Sequence, residues 1–433
     1  SPGASALLLG LVLFAVGMGS AAQSAPVNRF PRPDFNSEYE PPVREAPLPD
    51  VVRRNWLDGG VLVVALGLAS YLVLVRRNRR EIALLAFASL LFFGFWRKGC
   101  ICPVGAVQNA AAGLFDPAYT APVVAIAFFL IPLAFALFWG RVFCAGVCPL
   151  GAIQDLVVLR PVSLPAWVNH SLGALRYVVL GVGVLFAACG VGFPVCRADP
   201  FVGIFRFSGP GLLIGAGIIL LLVGVFIGRP YCRFLCPYAV LLEWGSRLSW
   251  KRVRITPGEC VQCRLCEQSC PFDAIQKPES VGRKSESAET GRRRVGVLFL
   301  LLPILVVVGA WLGGLSAPLA TPLHPAVRLA SAAVADADDH RPTLMEQDLK
   351  LAFEASGTSV ATVVAEANGV RRRLATGGRW IGGILGALLG LYLLGLTRRK
   401  PHDDYRPDPG MCVSCGRCFA YCPVPNSKEY SGG

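Results

Sequence analysis

The sequence predicts an all-α polytopic membrane protein of about eight transmembrane helices, with a small α+β extramembrane domain built from two separate chain segments. Three observations predict it. Hydrophobic residues make up 54% of the 433 residues and charged residues 16%, with a mean hydropathy of +0.53, more apolar than a large soluble core requires. Apolar runs that match a hydrocarbon layer about 30 Å thick recur along the chain. Finally, there are sixteen cysteines, eight of them in two tight runs.

The apolar runs lie near 4–22, 57–75, 82–96, 121–139, 174–193, 211–228, 295–313 and 380–397. The first is followed by Ala-rich sequence, as in a signal peptide, but lacks a basic leading region and reads as a retained helix over 1–23. A Pro-rich periplasmic segment follows at 24–56, then a six-crossing-type membrane core at 57–250. Residues 251–290 and 399–433 form the two halves of the extramembrane domain. Between them lie helices at 291–315 and 379–398, joined by a periplasmic cap at 316–378 whose stretch 343–374 is helix-compatible. In the last apolar run Gly382, Gly386 and Gly390 recur every four residues, a close-packing face for another membrane helix.

Positive charge orients the path, since cytoplasmic loops carry the excess of Lys and Arg. Arg76-Arg77-Asn78-Arg79-Arg80, Arg247 to Arg254, the run 283–294 and Arg398-Arg399-Lys400 fall on the cytoplasmic side of a bacterial inner membrane; Arg97-Lys98 and Arg371-Arg372-Arg373 fall on the other. The net charge of +14 thus reads as a topology signal. Nucleic acid is excluded as a partner because no binding motif accompanies it.

Cys260, Cys263, Cys266 and Cys270 follow C-x2-C-x2-C-x3-C with Pro271 next, and Cys412, Cys415, Cys418 and Cys422 repeat the spacing with Pro423 next. This is the bacterial ferredoxin run, in which the fourth cysteine serves the neighbouring cluster. One [4Fe–4S] cluster is therefore expected on Cys260, Cys263, Cys266 and Cys422, and a second on Cys412, Cys415, Cys418 and Cys270. Zinc sites use widely separated C-x2-C pairs instead, and disulfide scaffolds are short secreted domains. Only His170, His324, His340 and His402 are present, with no C-x-x-C-H for covalent haem. Two membrane runs separate the ferredoxin segments, and an even number of crossings returns the chain to one side.

A second pattern occurs three times: Arg97-Lys98-Gly99-Cys100-Ile101-Cys102-Pro103, Arg141-Val142-Phe143-Cys144-Ala145-Gly146-Val147-Cys148-Pro149, and Arg229-Pro230-Tyr231-Cys232-Arg233-Phe234-Leu235-Cys236-Pro237. Proline is favoured at the first helical position, so each preceding cysteine sits at a helix N-terminus, where an anionic cluster is favoured. Threading assigns Cys144, Cys148, Cys232 and Cys236 to a third [4Fe–4S] cluster at the cytoplasmic membrane face. Cys100, Cys102 and Cys196 fall at the periplasmic face, where a further cluster is expected. Cys189 is its fourth ligand, or else a helix residue without that role, which leaves three ligands or a [2Fe–2S] site. A disulfide competes there, in an oxidising compartment. Arg97 and Lys98 could stabilise such a cluster. Glu243 and Trp244 read as interfacial anchors or as the border of a quinone head-group site.

The paired C-x3-C-P motifs followed by a ferredoxin run resemble the NosR/NapH/CcoG membrane polyferredoxins, over roughly residues 57–425 and most closely the membrane part of NosR. The resemblance implies electron passage between a quinone pool or cytoplasmic ferredoxin donor and a periplasmic flavin or cytochrome protein, within a larger complex. The chain has no room for the flavin-binding domain that precedes the helices in NosR, and it adds Cys100, Cys102, Cys189 and Cys196. The expected function is an electron conduit across the bilayer, a subunit of a quinol dehydrogenase-like oxidoreductase with no catalytic acid–base residues. The rival expectation is a maturation protein that reduces a metal or thiol during assembly of another enzyme.

Overall fold

A computed structural model describes residues 48–99, 102–116, 119–255, 260–278, 288–334, 348–351, 353–354, 357–396 and 404–424. The expected helix at 4–22 lies outside them, as does Cys100. Helix α1 (Leu48–Tyr71) continues as a π-helical turn to Arg76. Arg77 then takes a left-handed conformation (φ 53°), and Asn78 caps α2 (Arg79–Ser89) by accepting the Arg80 N–H. The π-helical segment Leu90–Trp96 extends α2. Helices α3 (Pro103–Phe115), α4 (Val123–Trp139), α5 (Val142–Gly146), α6 (Pro149–Val157) and α7 (Ala166–Ala188) follow. Beyond them come α8 (Pro194–Arg197), α9 (Pro200–Arg206), α10 (Gly211–Gly224), α11 (Pro230–Phe234) and α12 (Pro237–Arg247).

Four helices are long and apolar enough to cross a membrane: Trp56–Arg76, Trp167–Ala188, Phe299–Leu323 and Val360–Leu391. The pair Pro200–Arg206 and Gly211–Gly224, bent by 103°, adds a fifth if it is one broken span. Of the eight expected spans, four, or five with the bent pair, are thus present among the described residues by length and composition. The run 82–96 is divided between α-helix and π-helix, and 121–139 yields a 17-residue helix. Hydropathy counts apolar residues, whereas Pro103, Pro149, Pro200, Pro230 and Pro237 each start a new helix. The apolar sequence is therefore cut into half-length pieces that bury one another.

One packed core cluster joins Leu62, Leu66 and Val73 of α1 to Phe128 and Phe135 of α4 and to Tyr238 and Leu242 of α12. It continues into Val253, Ile255, Cys266, Tyr405, Cys418 and Phe419, so the cysteine-rich segments sit directly on the helical bundle. Those segments comprise α13 (Leu265–Gln268) and β1 (Ile275–Gln276), then β2 (Arg406–Pro407) and α18 (Arg417–Ala420). Between them run α14 (Ala288–Leu315), α15 (Ala317–Ala320), α16 (Pro325–Val334) and α17 (Val360–Leu396). Strands β1 and β2 pair antiparallel, with Ile275 opposite Pro407 and Gln276 opposite Arg406, and the Asp408 N–H donates to the Ala274 carbonyl at 2.7 Å.

The glycine face found in the sequence packs inside this chain. A methyl group at Gly382 would overlap the Gly309 carbonyl, one at Gly378 the Gly313 carbonyl, and one at Gly386 the Leu305 carbonyl. Helices α14 and α17 therefore cross backbone to backbone, the close approach that small-residue faces permit in a bilayer. Helix α17 has 37 residues, about 55 Å at 1.5 Å per residue. It runs unbroken through the boundary expected between cap and membrane helix at 378/379. Its first half packs Val363, Ala367, Val370 and Leu374 against α16.

Candidate functional site

The two C-x3-C-P segments fold alike. The Val147 and Cys148 N–H groups both donate to the Phe143 carbonyl (3.0 and 2.9 Å), and Leu235 and Cys236 donate in the same way to Tyr231 (2.8 and 2.9 Å). Each second cysteine is extended, at φ −72°, ψ 115° for Cys148 and φ −68°, ψ 113° for Cys236, and precedes the first proline of a helix. The proline excludes the helical conformation at the cysteine before it.

Cys144, Cys148, Cys232 and Cys236 line one cavity, with Pro103, Val104, Arg141, Arg176, Arg229 and Arg233 also on its wall. Buried Arg229 ties the two segments together. It donates to both Asp155 oxygens (2.8 and 2.6 Å) and to the Cys144 carbonyl (2.6 Å). Arg233 pairs with Asp273 at 2.9 Å and Arg176 with Glu243 at 2.5 Å. Arg141 differs. It is 4% exposed, and its bonds run to the Gly410 and Ala239 carbonyls (2.7 and 3.5 Å). Its charge acts on Cys232, Cys236 and Cys412. A buried cation thus stands between the membrane thiols and the second ferredoxin-type run.

In that run Cys270, Cys412, Cys415 and Cys418 line a second cavity. This is the set the crossed spacing predicts, with Cys270 supplied by the other segment. Cys260 and Cys263 act electrostatically on Cys266. Cys260 and Cys422 pack against the same core cluster as buried Cys266, and α13 packs on α18. Burial pushes the Cys412 thiol up to about 12 and the Cys266 thiol up to about 11, and raises Cys270. Without metal these groups are neutral at pH 7, so loading releases their protons. Among the described residues no three ligating side chains close on the position of a single ion. Four soft thiolates around a cavity suit an iron–sulfur cluster, and the donor sets fit that group.

The remaining expected set separates. Cys102 lies within electrostatic reach of Asp199, Cys236 and Cys196. The Cys196 Sγ sits against Gly105, 3.1 Å from where a Cβ would be. Cys189 is not with them. It caps α7 and packs with the α16–α17 cluster, near Arg373. The first Cys-Pro motif is also not held apart from the other two, because Pro103 and Val104 line the four-thiol cavity. Helix α3, with 13 residues, is too short to cross the hydrocarbon layer, and its first residues Pro103 and Val104 are buried in the bundle.

Arg97 pairs with Asp58, so its charge is neutralised by α1. Glu243 is buried rather than exposed at an interface. It is 2% exposed and held between Arg176 and Arg247, each at 2.5 Å. Trp244 is 40% exposed and lies near the Tyr177 ring. Sequence reasoning missed Gln154, which donates through Nε2 to the Cys232 Sγ (3.3 Å) and accepts the Tyr231 N–H (3.0 Å). Its signal was present: a glutamine stands six residues after Cys148 and also six after Cys102.

Comparison with known proteins agrees with these segments. A 4Fe-4S binding domain model matches residues 82–122, 120–165 and 208–256, one match for each Cys-Pro motif, and a second 4Fe-4S binding domain model matches 253–276. These matches support the resemblance to the NosR-like polyferredoxins. It is 31% identical to protein NirI of Paracoccus denitrificans over 54% of this chain and 38% of that protein. It is 28% identical to the putative electron transport protein YccM of Escherichia coli over 37% of this chain and 52% of that protein. With the regulatory protein NosR of Stutzerimonas stutzeri it shares 26% identity over 50% and 33% respectively. The chain thus spans a third to a half of these relatives. No solved structure matches it.

Proposed function

We propose that this polyferredoxin is an electron conduit of the bacterial inner membrane, linking a cytoplasmic ferredoxin or quinone donor to a periplasmic flavin or cytochrome protein. The observation that carries the reading is the single buried cavity lined by Cys144, Cys148, Cys232 and Cys236, joined through Arg141 to the segment bearing Cys412. Bound [4Fe–4S] clusters supply one-electron chemistry, and the chain supplies placement and charge. Cys260, Cys263, Cys266 and Cys422 would hold one cluster, and Cys412, Cys415, Cys418 and Cys270 a second. The cavity thiols would hold a third, and Cys100, Cys102 and Cys196 would belong to a fourth. The ferredoxin halves face the cytoplasm in this reading. The Arg76–Arg80 cluster meets them there: Arg79 donates to the Cys415 carbonyl (2.9 Å), and Arg77 to those of Arg254 and Ile255 (2.9 and 2.7 Å). A hydrocarbon layer about 30 Å thick is too wide for one useful tunnelling step, and ligand sets inside the bundle shorten that gap.

The test is anaerobic purification with iron and sulfide analysis, followed by redox-titrated EPR. Clusters in the ferredoxin halves and in the membrane bundle should titrate separately. A preparation with iron only in the ferredoxin halves would refute the conduit. Cys270→Ala should damage the cluster held by Cys412, Cys415 and Cys418. Loss of only the other cluster would show that each run closes on itself.

Arg141→Gln removes the buried cation beside Cys232, Cys236 and Cys412. A nearby positive charge favours the more negative, reduced state of a cluster. Redox titration of the variant should therefore show the potentials of the cavity cluster and the Cys412 cluster both lowered, with the Cys260 cluster moved least. Equal shifts in all clusters would mean that Arg141 acts through general destabilisation.

A further inference from the structure

We propose that Asp199 is a ligand of the iron–sulfur site that contains Cys102 and Cys196, in the place that Cys236 holds in the neighbouring four-thiol site. The inference rests on the cluster assignments proposed above and replaces Cys189 as the expected fourth ligand.

The sequence contains a degenerate fourth copy of the Cys-Pro motif, between the stretches that the family model matches. Pro194-Val195-Cys196-Arg197-Ala198-Asp199-Pro200 runs parallel to Pro230-Tyr231-Cys232-Arg233-Phe234-Leu235-Cys236-Pro237, one residue shorter, with aspartate where cysteine precedes proline. The backbone agrees. Asp199 sits at φ −70°, ψ 112°, against φ −68°, ψ 113° for Cys236, and each precedes the first proline of a helix.

The surroundings repeat as well. In the four-thiol site Gln154, six residues after Cys148, accepts the Tyr231 N–H and donates to the Cys232 Sγ. Gln108, six residues after Cys102, accepts the Cys196 N–H at 3.2 Å. Its amide nitrogen is buried without a hydrogen-bond partner, on a side chain that is 1% exposed. A buried amide donor left without a partner is costly. The matching amide nitrogen of Gln154 donates to the Leu150 carbonyl (2.6 Å) and to a cysteine sulfur, that of Cys232 (3.3 Å).

Asp199 itself is 4% exposed and lies within electrostatic reach of Cys102. One carboxylate oxygen accepts the Phe201 N–H (2.9 Å) and the other the Tyr231 hydroxyl (3.3 Å). An ionised carboxylate has about four acceptor positions, so these two bonds leave room for iron. Tyr231 is buried between the sites, within reach of Asp199, Cys102, Cys232 and Cys236. Cys189 has none of this setting, being packed among the residues around α16 and α17. A hard carboxylate holds cluster iron less firmly than thiolate does, so the iron on Asp199 is the one released first on oxidation.

The test compares four variants of the full-length protein by iron and sulfide content and by EPR, with the ferredoxin-half signals as the internal control for folding. Cys102→Ser should lose this cluster. Asp199→Asn keeps the helix cap, since Asn caps as well as Asp, and should convert the cluster to a three-iron form with its own EPR signature. Asp199→Cys should keep all four irons, shift the EPR signal and slow the oxidative loss of iron. Cys189→Ala should change nothing. Unchanged iron and EPR in Asp199→Asn, with iron lost in Cys102→Ser, would overturn Asp199 as ligand while leaving the cluster in place. Unchanged iron in Cys102→Ser would overturn the cluster on which the inference rests. If Asp199→Asn fails to accumulate, Asp199→Cys decides: an EPR signal and iron loss identical to the parent would refute ligation.

Discussion

Cys232→Ser is expected to remove the cluster of the buried four-thiol cavity and to stop electron transfer through the bundle, while the ferredoxin-half signals survive. The cavity is closed by two pieces of chain whose backbones are already fixed by the Phe143 and Tyr231 carbonyl turns and by Arg229. The fold should therefore outlast the loss of one thiol. Removing only an outer-shell partner of a metal site costs about 10–100-fold in affinity or activity. Loss of a ligand should cost at least the upper figure in the rate of transfer from a cytoplasmic reductant to a periplasmic acceptor. Iron analysis, EPR and a vesicle-based transfer assay check it together. Gln154→Leu, which removes the donor to the Cys232 Sγ, should fall within the 10–100-fold range. If Cys232→Ser retained full iron content and transfer, the cavity would be a packing feature with no redox role.

Gly382→Leu is expected to cost the ferredoxin halves their clusters from a position inside the membrane helices. The Gly382 backbone meets the Gly309 carbonyl with no space for even a methyl group, so a leucine must push α14 and α17 apart. Overpacking of a fitted core costs about 1–3 kcal/mol when side chains alone adjust; here backbone must move. These two helices connect the segment ending at β1 to the segment beginning at β2. Separating them strains the β1–β2 pair and the crossed cavity that needs Cys270 beside Cys412. The expected result is loss of both ferredoxin EPR signals and reduced accumulation. Gly390→Ala is the control, since a methyl there meets the Leu302 side chain at 3.2 Å rather than a carbonyl. Intact ferredoxin signals in Gly382→Leu would show that the halves associate without the hairpin.

The ferredoxin runs were legible in the sequence because their chemistry is local. The spacing put three thiols within seven residues and assigned the fourth, before proline, to the neighbouring cluster, and Cys270 indeed lines a cavity with Cys412, Cys415 and Cys418. The glycine face of α17 was legible for a similar reason, as four-residue spacing puts Gly382, Gly386 and Gly390 on one side of a helix. The sequence left open which helix would meet that face.

The membrane region was legible in composition and not in path. Hydropathy treats an apolar run as a span, but the prolines after Cys102, Cys148, Asp199 and Cys236 begin helices inside the bundle, and half-helices carry no length signal of their own. Two consequences depended on packing alone. Cys189, grouped with Cys102 and Cys196 or else read as a helix residue without that role, packs at the end of α7 among residues of α16 and α17, which no local pattern announces. Glu243 looked like an interfacial residue because its partner Arg176 is 67 positions earlier, and no local pattern announces a buried ion pair.

By itself, then, the sequence determined the 4Fe-4S character of the chain, the apolar character of the rest and the helix starts set by proline. Each follows from covalent neighbours and short-range backbone limits. Only the tertiary structure decided which Cys-Pro segments share a cavity, that Arg141 lies between two sets of thiols with no carboxylate partner among the described residues, and that Asp199 shares the backbone conformation of Cys236. Those facts depend on contacts between residues tens to hundreds of positions apart. They arise when buried polar groups must find partners in an apolar interior, a requirement that acts on the folded chain as a whole.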